Sequence, residues 1–239
     1  MQDIGDRMKE FYENRYRFYL TRRTPVIIRV DGRSFHSYSK GFEKPFDEQL
    51  IRSMVQSAYE TAKEMQGFKL AYVQSDEASF LLTDYDDLQT DAWFGYNKSK
   101  IETITSSTFS VHFNGNIKDY LENTNRLNRK KAVFDARSFN IPKEEVVNYF
   151  LWRAKDWERN SLQMYCRNFF SDKEMQNKSR EDQHELLFSI GKNWTNDLSD
   201  IEKNGTFLVN TESGLHSNIT TKPNYEDIAR LLSTTRGII

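Results

Sequence analysis

Two acidic pairs carry the most chemistry in this chain: Asp31-Gly32, closing the β-branched run Val26–Val30, and Asp76-Glu77, set between two apolar segments. In an extended run the two-residue period puts Ile27, Arg29 and Asp31 on one face and Val26, Ile28 and Val30 on the other. Gly32 lacks a side chain, so its carbonyl can approach a cation that the Asp31 carboxylate also binds. An Asp-Gly pair seen alone is an ordinary turn, and so is an acidic tip between two strands. The two together say more. If the hairpin lies beside the first strand, Asp31 and Asp76 converge with Glu77 at their side. Two carboxylates in that position repel one another, and Mg2+ carrying a triphosphate neutralises both them and the phosphates.

Between the acidic pairs, Gly32-Arg33-Ser34-Phe35-His36 and then Lys44-Pro45 form a stretch suited to wrapping a nucleotide. Backbone amides after Gly32, the cation of Lys44 and the ring of Phe35 or His36 match a triphosphate and a base. Lys98 and Lys100 stand at the start of a helical pattern, where phosphate commonly binds. The four histidines, His36, His112, His184 and His216, are scattered without metal-ligand spacing. None is assigned to a metal.

The elements that must position these groups follow from periodicity. Apolar residues recur at helical spacing from Phe46 to Gln66 and stop at Gly67. Lys69–Ser75 and Ala78–Thr83 read as strands joined at Asp76-Glu77. Ser99–Phe113 reads as a second helix and Ala132–Ser138 as a further strand. The order strand, helix, strand, strand, helix, strand is a ferredoxin-like βαββαβ arrangement, the one that underlies polymerase palms. Pro142 opens a long helix to about Phe169, with Glu144 and Glu145 in its first turn. A helix over Ser179–Ile190 is expected in the polar remainder. The expectation is an α+β protein with a palm-like core over residues 1–140 and a mainly helical region, 141–239, packed on it as one unit.

Composition narrows the class. At 239 residues, with 37% hydrophobic and 29% charged residues, the chain can bury a core unaided. A single cysteine, Cys166, allows no internal disulfide and no cysteine-based zinc site, so a reducing compartment, the cytoplasm, is expected. No apolar stretch reaches eighteen residues, and the start Met1–Glu10 mixes acids and bases, so neither membrane insertion nor secretion is expected. The net charge of -1 provides no global field for a polyanion. Any nucleic-acid contact would use local clusters such as Arg126, Arg129, Lys130 and Lys131, or Arg15, Arg17, Arg22 and Arg23.

Five segments in order, RVDGRSFHSYSK, KPFD, YVQSDEASFLL, FDARSF and YFLWRAKDWERNS, closely resemble the tRNA-His guanylyltransferase family and its Thg1-like relatives, from about Met8 to Phe170. A looser echo follows at Gly191-Lys192-Asn193-Trp194. The resemblance implies a polymerase-like palm, a homotetramer, tRNA as partner and extension of RNA in the 3′-to-5′ direction. It implies two Mg2+ per active site held by Asp31, the Gly32 carbonyl and Asp76, with Glu77 supporting them. It places a site for ATP, GTP or another NTP on Asp31 through His36 and on Ser75 with Asp76. Lys44, Arg29, Arg137 and Asn160 are weaker matches to residues touching triphosphate or the RNA end. The implied chemistry activates a 5′-monophosphate as an adenylate with ATP, or starts from a triphosphate, and the 3′-hydroxyl of an incoming NTP then attacks.

The sequence departs from the family at one motif. The eukaryotic guanylyltransferases carry a His-Ile-Asn-Asn-Leu-type motif where this chain reads Trp157-Glu158-Arg159-Asn160-Ser161-Leu162, keeping only the Asn. That loss favours the branch repairing truncated tRNA 5′ ends on a template over dedicated addition of G at position -1 of tRNA-His. A nucleotide cyclase, which also pairs aspartates on a palm, and a catalytically silent tRNA-binding protein are the other classes these residues admit.

Overall fold

The structure, a computed structural model, describes residues 2–124 and 130–235. An arm begins with α1 (Ile4–Met8), continues through helical turns over Lys9–Glu13 and Asn14–Tyr16, and leads to β1 (Val26–Gly32). The helical turn α2 (Phe35–Tyr38) and the long α3 (Glu48–Glu64) precede the hairpin of β2 (Phe68–Gln74) and β3 (Glu77–Leu82). Next come α4 (Lys98–Asn116), α5 (Lys118–Asn123), β4 (Phe134–Asn140) and α6 (Val146–Arg167). The chain closes with α7 (Asp172–Met175), α8 (Arg180–Ser189), α9 (Trp194–Asp197), α10 (Asp200–Asn204), β5 (Thr206–Thr211), β6 (Gly214–Ile219) and α11 (Tyr225–Ser233).

The six strands form one antiparallel sheet in the order β4-β1-β3-β2-β5-β6. Its first four strands have the ferredoxin-like arrangement expected from the sequence. Alternation along β1 splits the interior in two. Val26, Ile28 and Val30 join Ala71, Val73, Phe80, Phe109 and Phe113 beneath α3 and α4. Ile27 joins Leu70, Tyr72, Leu81, Tyr149, Phe150 and Phe207 beneath α6 and α11. Arg29 and Asp31 therefore belong to the α6 side of the sheet.

Capping explains where the helices begin. Asp47 caps α3, its carboxylate accepting from the amides of Leu50 (3.0 Å) and Glu43 (3.1 Å) and from the Tyr120 hydroxyl (2.8 Å). Asn97 caps α4 by accepting from the Lys100 amide at 3.1 Å. Pro142 lies just outside the helix that it was expected to open, at the N-cap of a 3-10 turn over Lys143–Glu145 that runs into α6. Ser179 caps α8 with a reciprocal capping box to Asp182.

The C-terminal region departs from the helical expectation by contributing two strands. β2 is buried along its whole length and needs a hydrogen-bonding neighbour on each side. β5 supplies one, pairing Leu70 with Val209 and Tyr72 with Phe207, and β6 covers the outer edge of β5. α8 forms close to its expected span.

Candidate active site

The acidic residues meet at one end of β1 and β3. Asp31 sits opposite Glu77 of β3 and opposite Asp135 of β4, and the Gly32 amide donates to the Asp76 carbonyl at 3.0 Å. That approach depends on the missing side chain. A Cβ at Gly32 would come within 2.9 Å of Phe35 Cγ and 3.0 Å of Asp76 Cβ. Gly32→Ala is accordingly expected to cost about 1–3 kcal/mol through overpacking. Urea unfolding measures it, and an unchanged midpoint would contradict the contact.

Two serines flanking the carboxylates, Ser34 and Ser75, hold positive φ angles of 53° and 48°. Such strain in ordinary L-residues concentrates at functional sites, where the surrounding fold holds it in place. Here it turns the backbone sharply after Gly32 and before Asp76. Burial raises the Asp76 carboxyl to about 6, and the nearby Asp31 charge adds to the rise. A carboxyl raised by burial and a like-charged neighbour is what a cation would relieve. With the two carboxylates and the Gly32 backbone in one place, the residues fit a hard divalent cation whose remaining positions are filled by phosphate oxygens and water. Among the described residues there is no group of three or more His, Cys, Asp or Glu arranged to hold a metal.

Glu77 has a different setting. It is 6% exposed, and Arg153 of α6 grips it in a fork, Nε to Oε1 and Nη2 to Oε2 both at 2.7 Å. Arg29 Nε stands 4.0 Å from the same carboxylate and has no hydrogen-bond partner among the described residues. Ser79, beside Glu77 on the sheet face, bonds the Tyr149 hydroxyl at 2.9 Å. Glu77 thus ties the hairpin to α6 behind the carboxylate pair.

Two adjoining cavities open at this end. A smaller one of about 290 Å³ is lined by Asp31, Ser75, Asp76, Glu77, Arg153 and Asn160, among others. A larger one of about 740 Å³ runs between the loop His36–Phe46, α3, α6 and the start of β5, with Lys44, Phe42, Leu50 and Met54 in its wall. Gln74, Ser75, Asp76, Trp157, Met164 and Arg167 border both. Of the residues expected from the sequence, the structure gathers Asp31, Gly32, Phe35, His36, Lys44, Ser75, Asp76, Glu77 and Asn160 around this space. Arg33 and Ser34 are exposed on the turn after Gly32 and line neither cavity.

Arg29 and Arg137 face one another across β1 and β4, two residues from Asp31 and Asp135, outside both cavities. Arg137 is ion-paired with Asp135 at 3.4 Å. Lys98 does not reach the site. Its Nζ donates to the Ser138 carbonyl at 2.5 Å and pairs with Glu102, at the far end of β4. Lys98→Ala is expected to leave nucleotide turnover within about twofold while loosening the α4–β4 contact, and a tenfold loss of turnover would contradict this placement. Lys100 lies over the Phe94 ring, also away from the site.

The basic clusters resolve similarly. Arg22 pairs with Asp84, Arg23 donates to the carbonyls of Asp87 and Leu88, and Arg17 pairs with Glu13. These cations are engaged with the chain itself. Of the second cluster, Lys130 and Lys131 are exposed, and Arg126 and Arg129 lie outside the described residues.

Sequence reasoning missed Arg153, Gln74 and Arg167. A signal for Arg153 was present, since it interrupts the apolar stripe Val146, Tyr149, Phe150, Ala154, Trp157 of α6, and an arginine in such a stripe requires a buried acid.

A ferredoxin-like sheet presenting paired carboxylates beside a nucleotide-sized cavity has the make-up of a palm-type nucleotidyltransferase. A family profile described as tRNAHis guanylyltransferase matches residues 5–142. A tRNA(His) guanylyltransferase of Debaryomyces hansenii is 31% identical over 207 residues, covering 80% of this chain and 75% of its own. A mimivirus protein, uncharacterized protein R259 of Acanthamoeba polyphaga mimivirus, is 29% identical over 205 residues, 78% of this chain and 70% of its own. Among solved structures, a bacterial tRNA(HIS) guanylyltransferase (Thg1)-like protein in complex with ATP superposes with a TM-score of 0.89 at 36% identity, covering 97% of this chain and 99% of the other. This chain belongs to the tRNA(His) guanylyltransferase family and is a nucleotidyltransferase of that family.

Proposed function

We propose that this enzyme adds nucleotides to the 5′ end of tRNA in the 3′-to-5′ direction on a template, repairing truncated 5′ ends. The observation that carries the reading is the adjacency of Asp31, Gly32 and Asp76, with both aspartates lining the cavity of about 290 Å³ and Asp76 also bordering the one of about 740 Å³. It is supported by near-complete likeness to bacterial Thg1-like proteins solved with ATP and with GTP, the latter at a TM-score of 0.80 and 33% identity. Trp157–Leu162, in place of the eukaryotic motif, favours repair over G addition.

In this reading Asp31, Asp76 and the Gly32 carbonyl hold two Mg2+, which supply neutralisation of phosphate charge and activation of the attacking hydroxyl. Lys44 faces the triphosphate from the opposite wall. The apolar lining from Phe42, Leu50 and Met54 accepts the base and excludes water. Arg153 and Glu77 keep the hairpin at a fixed distance from α6, so that the carboxylates stay in place as phosphate enters. The 5′-monophosphate of the RNA displaces pyrophosphate from ATP to form an adenylate. The 3′-hydroxyl of an incoming NTP then attacks the 5′ phosphorus, its proton goes to solvent and AMP leaves. The enzyme acts in the cytoplasm as a homotetramer. Among the described residues no helix is long and apolar enough to cross a membrane.

The test is incubation with Mg2+, ATP, all four NTPs and a 5′-phosphorylated tRNA lacking its first nucleotide. Restoration of the nucleotide complementary to the opposing 3′ base is expected. The family description and the yeast relative favour a second reading, guanylyltransfer to tRNA-His. Addition of G alone to full-length tRNA-His, with no repair of the truncated substrate, would establish that reading instead.

A further inference from the structure

Gln74 is 7% exposed, and its side-chain amide has no hydrogen-bond partner among the described residues. It ends β2 on the α6 side of the sheet, following Leu70 and Tyr72 in alternation, and borders both cavities. A carboxamide carries two donors and an acceptor, and here they open to the cavities rather than to a protein partner. Trp157 of α6 is 4% exposed, borders the same two cavities and holds a buried indole N–H with no acceptor among the described residues. A cavity-facing amide and a buried, unpaired indole N–H at the constriction where the two cavities meet point to a polar ligand group that belongs beside them.

We infer that Gln74 binds a ribose hydroxyl of the nucleoside triphosphate and makes the enzyme select ribonucleotides over deoxyribonucleotides. This inference rests on the nucleotidyltransferase reading above. Gln74 precedes Asp76 by two residues, with the left-handed turn at Ser75 between them. With the phosphates at Asp31 and Asp76 and the base among Phe42, Leu50 and Met54, the sugar lies at the constriction. A hydroxyl is both donor and acceptor, as the amide is, so one partner satisfies the other. A sugar lacking that hydroxyl leaves the amide without its partner once the nucleotide fills the cavity, and sites built to bond a hydroxyl reject such analogues strongly.

The experiment titrates the protein in Mg2+ with ATP, 2′-deoxyATP and 3′-deoxyATP, following intrinsic tryptophan fluorescence or heat. Wild type is expected to bind ATP at least tenfold tighter than one of the deoxy compounds, and the discriminated compound identifies the hydroxyl. Gln74→Met, similar in volume and without the amide, is expected to weaken ATP to the level of that analogue and leave the analogue unchanged. Gln74→Glu keeps an acceptor and is expected to weaken all three nucleotides while preserving their ratio, which serves as the check if the Met variant fails to fold. Equal affinities in wild type, or a Gln74→Met variant with the wild-type ratio, would overturn the inference alone. Failure of wild type to bind any of the three would overturn the nucleotidyltransferase reading with it.

Discussion

Replacing Asp76 with Asn is expected to reduce nucleotidyl transfer by about a thousandfold, because several kcal/mol of charge stabilisation at the phosphates passes through this carboxylate. Single-turnover transfer from labelled ATP measures it, and a variant within tenfold of wild type in Mg2+ would remove Asp76 from the metal site. Asp31→Asn should behave alike. The same substitution should stabilise the protein in EDTA at pH 8. In the folded chain Asp76 titrates at about 6, above the 3.8 of an unperturbed aspartate, since burial and Asp31 both disfavour its charge. The folded state therefore binds this proton more tightly than the unfolded chain. Stability from this group is complete below pH 3.8 and is lost as pH rises through 6, by an amount on the order of 1–3 kcal/mol. Denaturant midpoints of wild type and variant in EDTA should coincide near pH 4 and separate in the variant's favour by pH 8. An equal midpoint at both pH values would mean that Asp76 is not strained by its surroundings.

The second large effect concerns stability. Arg153→Met is expected to cost about 3–5 kcal/mol, because it leaves the Glu77 carboxylate buried with Arg29, 4.0 Å away, as its only ion-pair partner among the described residues. The double variant Glu77→Gln with Arg153→Met should recover most of that loss, since neither buried charge then remains. Urea unfolding of both singles and the double completes the cycle. Additive losses would show that the fork is not a coupled unit. Single-turnover rates on the recovered double variant separate positioning from chemistry. A rate near wild type would confine Glu77 to holding the hairpin.

The part of the molecule legible in the sequence is the part where one pattern governs. β1 is a β-branched run that passes into apolar-charged alternation over Ile28–Asp31, α3 carries a continuous apolar stripe, and the β2–β3 hairpin has two largely apolar arms around a polar tip. Those elements bring Asp31 and Asp76 together, so the carboxylate pair could be located before any coordinates. β5 and β6 were missed for a physical reason. Thr206–Thr211 is short, and Gly214–Ile219 is an edge strand whose Leu215, His216, Ser217 and Asn218 mix polar and apolar positions. The turn signals Asn204-Gly205 and Glu212-Ser213-Gly214 were nonetheless present. Lys98 was misplaced because a helix start can bond phosphate or its own neighbours, and only the packing of α4 against β4 decides between them.

The sheet order has a consequence for synthesis on the ribosome. When the chain has emerged as far as Asn140, the four palm strands are present and both aspartates can meet. β2 then forms the outer edge, and both of its faces are largely apolar, with Leu70 and Tyr72 on one and Phe68, Ala71 and Val73 on the other. Such an edge is a template for pairing with other chains. It stays open until some seventy more residues, α6 among them, have been made and β5 can close it. The interval between translating the paired carboxylates and sealing β2 is therefore a period in which the nascent protein is open to aggregation, and a stall or a premature stop in α6 would leave it there.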